Sequence, residues 1–105
     1  MPTTQITTLA DLTEGTGQAF DVAGRRIAVF RTADAFYAID DTCSHAEASL
    51  SEGDFDPDEL CVECPLHGSI FDLRTGKPRT FPAFEPVATY RVFAEGDALF
   101  VEYSD

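Results

Sequence analysis

Two short segments, CSH at 43–45 and CPLH at 64–67, hold both histidines of the chain and two of its three cysteines. Any fold for this sequence must bring two loops together, with eighteen residues lying between His45 and Cys64. Neither pair is informative alone, because a small buried thiol beside a surface histidine is common. Together, Cys43, His45, Cys64 and His67 supply four soft or borderline ligands in two chelating pairs. That set fits two centres: a tetrahedral Cys₂His₂ zinc ion, or a [2Fe–2S] cluster with two thiolates on one iron and two imidazoles on the other. Zinc fingers usually pair like with like, whereas each segment here gives one thiol and one imidazole. Mixed pairs suit a two-iron target, each loop running along the Fe–Fe direction.

The rest of the chain reads as a scaffold for two such loops. Short alternating apolar runs are separated by turn residues: QAFDV then the AGR turn, RIAVF then TAD, and FYAID leading into the first Cys/His pair. After the second pair come SIFDL, bounded by RTGKP, and TYRVFAEGDALFVEY, in which two alternating runs flank EGD as in a hairpin. No window carries a useful helical period, and at most a helical turn is expected within 44–52. The fold class expected is all-β, a small antiparallel sandwich or barrel with the Cys/His segments as projecting loops. At 105 residues there is room for one domain, 1–105.

Nineteen acids against seven bases give a formal net charge of -12, which argues against nucleic acid or anionic membrane surfaces as partners. Nine of the acids fall between Asp40 and Glu63, a stretch without Lys or Arg. Taken singly they read as a solvated face; their position around the Cys/His pairs makes them a candidate docking surface for a basic partner. With three cysteines, no signal-like N-terminus and no long apolar run, the expectation is a cytoplasmic protein whose thiols bind metal or stay buried. Cys61 is expected to pack as a small hydrophobe on the strand entering the second loop.

CSH and CPLHGSIFDLRTGK, followed by the proline-bearing PAFEPV, resemble the Rieske [2Fe–2S] proteins. Over essentially its full length the chain is similar to the small Rieske ferredoxins of bacterial aromatic-ring-hydroxylating dioxygenase systems. The resemblance implies a Rieske fold with one cluster per chain, cluster-binding loops at about 41–50 and 62–72, and a proline loop at about 78–87 around Pro82 covering the cluster. It implies Cys43 and Cys64 on the inner iron, and His45 and His67 on the outer iron, nearest solvent, as the route of electron entry and exit. The chain departs from the respiratory branch in lacking the cysteines that clamp the two loops with a disulfide: Leu66 stands at one position, Glu47 and Ala48 near the other. The gap between the pairs is also slightly longer than usual, through DFDPDEL.

The implied role is a one-electron carrier between a flavin-dependent ferredoxin reductase and a terminal Rieske oxygenase. Oxygen activation would need a mononuclear iron site with two further histidines, and both histidines are already used. A ferredoxin of another pathway such as iron–sulfur assembly, a Cys₂His₂ zinc-binding interaction module, and a cluster-free small subunit of nitrite-reductase type are the alternatives, the last disfavoured because all four ligands are present. No P-loop, calcium loop or hydrolase motif survives inspection; Pro78 follows Gly76-Lys77, and Glu59 stands where a calcium loop needs glycine.

The formal charges of two ferric ions, two sulfides and two thiolates cancel, so the oxidised site is neutral and takes up an electron more easily than a four-thiolate site. Potentials for such centres run from about −150 to +300 mV, against about −400 mV for plant-type clusters. Of two hydroxyl positions that the high-potential branch carries after its second histidine, this chain has Ser69 but Phe71 in place of Tyr. One donor fewer and no disulfide set the expected potential at about −150 to 0 mV. Phe71→Tyr should raise it and Ser69→Ala should lower it; protein-film voltammetry in which neither variant moves would remove the hydroxyl argument.

Overall fold

In a computed structural model the chain is described over residues 3–33, 35–43, 48–66, 68–80 and 85–103. Among the described residues nine strands run in chain order: β1 (Thr3–Thr8), β2 (Gly17–Val22), β3 (Arg25–Arg31), β4 (Phe36–Asp40), β5 (Asp54–Asp56), β6 (Cys61–Glu63), β7 (Ile70–Asp72), β8 (Thr89–Glu95) and β9 (Ala98–Glu102). They form a six-stranded antiparallel sheet, β1-β9-β8-β4-β3-β2, and a three-stranded antiparallel sheet, β5-β6-β7. β1 returns towards β2, so the larger sheet is nearly closed on itself. The all-β expectation holds, and among the described residues helix is limited to two 3₁₀ turns, Leu9–Asp11 and Leu50–Glu52.

The larger sheet builds from hairpins that the turn residues fix. Between β2 and β3, Ala23 and Gly24 both take positive φ, at 52° and 80°, as a two-residue turn requires for the strands to keep their twist. β3 is the central strand. Ile27, Ala28, Val29 and Phe30 are all fully buried, so RIAVF is covered on both faces rather than on one. Its alternate residues serve two different cores. Ile27 and Val29 join Ala38, Leu99 and Val101 inside the curved sheet, while Ala28 and Phe30 face Ile39, Leu50, Val62 and Phe71 beneath the small sheet.

The structure adds two strands, β1 and β5, to those legible in the sequence, and bounds the strand expected to enter the second loop as β6. β1 is the threonine-rich TTQITT, paired with β9. β5 and β6 form a hairpin out of DFDPDELCVE, with Asp56 opposite Cys61. Its four-residue turn is set by the Asp56 carboxylate, which accepts the N–H groups of Asp58 and Glu59, and by Leu60 at φ 53°. The extra length between the two Cys/His pairs is therefore ordered chain.

β7 and the turn after it carry the second loop's return path. The Asp72 carboxylate accepts the Arg74 and Thr75 N–H groups and bonds Arg79, whose guanidinium also reaches the Glu59 carbonyl across the small sheet. Burial alone would push the Asp72 carboxyl up; the Arg79 and Arg74 side chains and the two N–H donors outweigh it and hold it well below the usual carboxylate range. At the end of this turn Gly76 lies at φ 76°, with its Cα so close to the returning chain that a Cβ would meet the Val87 carbonyl oxygen at 2.1 Å.

Two outcomes follow. Gly76→Ala should cost about 2 kcal/mol or more, since left-handed strain and a backbone clash act together, and urea unfolding reads it. Asp72 has its folded pKa below the unfolded value of about 3.9, so its contribution is fully present above about pH 4 and fades as pH falls towards the folded value. Asp72→Asn should accordingly unfold more easily than wild type at neutral pH, with the gap closing below about pH 4 in urea titrations at several pH values.

Candidate metal centre

Cys43 and Cys64 come from different sheets. Cys43 lies three residues beyond the end of β4, and Cys64 directly follows β6. Val62, buried on β6, and Ile39, buried on β4, both pack in the core beneath the small sheet, and both thiols are buried with them. The two thiol groups lie within hydrogen-bonding reach of each other. Two segments far apart in sequence are thus brought to one point by the packing of the two sheets. The other two expected ligands, His45 and His67, lie outside the described residues, as does residue 82 at the centre of the expected proline loop.

Both loops are drawn closed at their necks. In the first, the Cys43 N–H donates to the Ala48 carbonyl at 3.0 Å, the Leu50 N–H to the Asp41 carbonyl at 2.6 Å, and Thr42 pairs with Ser49. In the second, the Cys64 N–H donates to the Ser69 carbonyl at 2.7 Å and the Gly68 N–H to the Cys64 carbonyl at 3.1 Å, with Gly68 at φ 77°. Burial pushes the Cys64 thiol up; the Leu66 N–H, donating to its sulfur, opposes this and the neighbouring Cys43 adds to it. A buried thiol pair of this kind is costly to ionise without a cation, and a bound metal is what makes it a thiolate pair. The donor chemistry therefore fits a thiolate-bound metal centre.

Sequence reasoning treated Asp41 as one of nine acids on a solvated stretch. It is instead 1% exposed and fully engaged. One carboxylate oxygen accepts Arg26 Nε at 2.8 Å and the Ser49 hydroxyl; the other accepts the Ser51 N–H at 2.9 Å. Burial would push the Asp41 carboxyl up, but the Ser49 hydroxyl, the Ser51 N–H and hydroxyl and Arg26 together hold it below the usual carboxylate range. The signal that could have found it is register: β3 and β4 pair antiparallel with Ile27 opposite Asp40, which puts Asp41 beside Arg26. Asp40 is engaged too, accepting the Tyr90 hydroxyl at 2.6 Å and the Ala88 N–H at 3.2 Å, so it ties the end of β4 to the chain entering β8.

Cys61 corrects a second expectation. It does sit on the strand entering the second loop, but on the outward face with Glu63, because the inward position in that three-residue alternation belongs to Val62. Its neighbours include Asp54, Asp56 and Ile70, and burial pushes its thiol up while Arg79 opposes this. Of the remaining acids of the stretch, Glu52, Asp54, Asp56, Asp58, Glu59 and Glu63 are exposed, and Glu47 lies outside the described residues. Leu66, next to the second expected histidine, is 51% exposed, the large apolar side chain most open to solvent among the described residues.

Comparison with known proteins places these features in context. The family described as Rieske [2Fe-2S] domain matches residues 3–91. The 3-phenylpropionate/cinnamic acid dioxygenase ferredoxin subunit of Escherichia coli (strain K12) is 45% identical over 94 residues, covering 90% of this chain and 87% of that one. Among solved structures, the ferredoxin of carbazole 1,9a-dioxygenase from Nocardioides aromaticivorans IC177 superposes with a TM-score of 0.92 at 42% identity, covering 96% of this chain and 97% of that one. A chain in the complex of reduced oxygenase and oxidized ferredoxin in carbazole 1,9a-dioxygenase matches at TM-score 0.86 and 35% identity, covering 94% and 91%.

Proposed function

The chain belongs to the Rieske [2Fe–2S] family, and from that premise we propose that it is the ferredoxin of a ring-hydroxylating dioxygenase system, carrying single electrons from a flavin-dependent reductase to a terminal Rieske oxygenase. The observation that carries this reading is the pairing of two buried cysteine thiols, each followed in sequence by a histidine, on a scaffold that superposes along nearly its whole length with a dioxygenase ferredoxin. The family decides between the two centres the sequence left open, in favour of the cluster over zinc.

Cys43 and Cys64 would hold the inner iron, His45 and His67 the outer one, and the cluster supplies a one-electron couple that is neutral when oxidised. The chain's own residues hold the sulfur ligands in place, shield them from water and donate the Leu66 N–H to Cys64. With both histidines used there is no donor set for an oxygen-activating iron, so catalysis belongs to the partner. Residues 1–105 act as one domain, with its loops at about 41–50 and 62–72 and its proline segment at about 78–87, and the protein works in the cytoplasm.

Docking follows from what is exposed. Leu66 offers an apolar contact beside His67, and of the exposed acids Glu52, on the 3₁₀ turn after the first loop, and Asp54 and Glu63, paired in register next to Cys64, lie at the end that carries the cysteine loops. Aromatic and apolar centres with charged surroundings are a common design for brief, specific encounters. No helix among the described residues is long and apolar enough to cross a membrane.

Stopped-flow mixing of the reduced protein with the oxygenase component tests the proposal. Electron transfer should be second-order, and its rate should fall several-fold as ionic strength rises from about 0.01 to 0.1 M, because the screening length shrinks from about 30 to about 10 Å. Glu52→Lys with Asp54→Lys should flatten that dependence. No transfer to any such oxygenase, with fast transfer to another acceptor, would move the chain to a different pathway.

A further inference from the structure

The first cluster loop has no disulfide to close it, since all three cysteines are free. What closes it instead is a single carboxylate. Asp41 stands on the incoming side of the neck, and the Ser49 hydroxyl and Ser51 N–H, both on the outgoing side, donate to its two oxygens, while Arg26 from β3 binds the first of them. The Ser49 and Ser51 hydroxyls are also 2.9 Å apart. Around this carboxylate the backbone bonds Leu50 to Asp41 and Cys43 to Ala48 complete the closure, so Cys43 lies immediately inside the tied neck. No buried side-chain polar atom among the described residues is left without a partner, so the network is satisfied as it stands. The second loop is drawn in by the backbone bonds Cys64 N–H to Ser69 and Gly68 N–H to Cys64, with the Ile70 N–H to the Thr80 hydroxyl beyond them.

We propose that Asp41, with Ser49 as its principal donor, is the positioning residue of the cluster site, clamping the first loop as a disulfide would and setting how fast the cluster is lost. The inference rests on Cys43 being a cluster ligand. Three physical points favour it. A buried carboxylate accepting several donors is costly to separate from them, since each freed group would be left unpaired in a dry site. The bonds join both ends of one loop, so they oppose the opening motion that would carry Cys43 away from Cys64. Arg26, by contrast, is 55% exposed at its side chain, so its share is the smaller one.

The test is cluster release from the purified holoprotein in excess chelator, followed by loss of visible absorbance well below the unfolding temperature. Ser49→Ala should release its iron about tenfold faster than wild type, as expected for losing a hydrogen bond to a charged group. Ser49→Thr, which keeps the hydroxyl, should return the rate to within about twofold, and Arg26→Met should change it by no more than that. Val101→Ala, which opens a void in the core inside the curved sheet, controls for general destabilisation. It should lower the unfolding midpoint at least as far as Ser49→Ala does and leave release near the wild-type rate. Release from Ser49→Ala at the wild-type rate, or equal acceleration in Val101→Ala, would overturn the clamp while leaving the ligand assignment intact. Wild-type protein that binds no iron or sulfide would overturn both.

Discussion

Bringing two thiols side by side in a dry interior is the constraint on which the rest of this structure depends. Cys43 and Cys64 lie on different sheets and are separated by twenty residues of chain, so their meeting is a property of how the sheets pack. The contact surface is supplied by the doubly buried strands β3 and β4, whose Ala28, Phe30 and Ile39 lie against Val62 and Phe71 of the small sheet. Aliphatic and aromatic packing therefore fixes the relative position of the loops to the accuracy of a close-packed core. Polar necks then fix each loop on its own strand.

This division of labour explains why the molecule has two cores rather than one. The core inside the curved sheet, with Ile27, Val29, Leu99 and Val101, contains no residue of the cysteine loops and makes the barrel-like body rigid. The core beneath the small sheet contains both cysteines and is the one a metal centre completes. Phe71 is fully buried there and fills the floor under the two cysteines.

Much of this was legible in the sequence because its signals are local. Turn residues and alternating apolar runs located β2, β3, β4, β7 and the β8–β9 hairpin, and the Cys/His spacing located both loops. The threonine-rich β1 and the acidic β5 gave no apolar alternation, and each becomes a strand because a partner, β9 or β6, offers it backbone pairing. The inward turn of Asp41 was hidden for a similar reason: its partners sit fifteen residues earlier and eight to ten later, and only strand register brings them together. Cys61 reads as apolar by residue type, yet a three-residue strand has one inward position, and Val62 takes it.

Acidic residues on this surface consequently do three different jobs that composition cannot separate. Asp41 and Asp40 tie chain segments together, and Asp56 and Asp72 shape the two turns at the other end of the small sheet. Glu52, Asp54, Asp58, Glu59 and Glu63 make no such ties through their side chains in the hydrogen bonds seen, and they project field into solvent. That last group dominates what a diffusing partner meets, because paired buried charges cancel at a distance whereas exposed unpaired ones add. Glu52, Asp54 and Glu63 thus carry part of the net charge of -12 to the end of the cysteine loops, while Asp40 and Asp41 at the neck of the first loop are spent on holding its geometry.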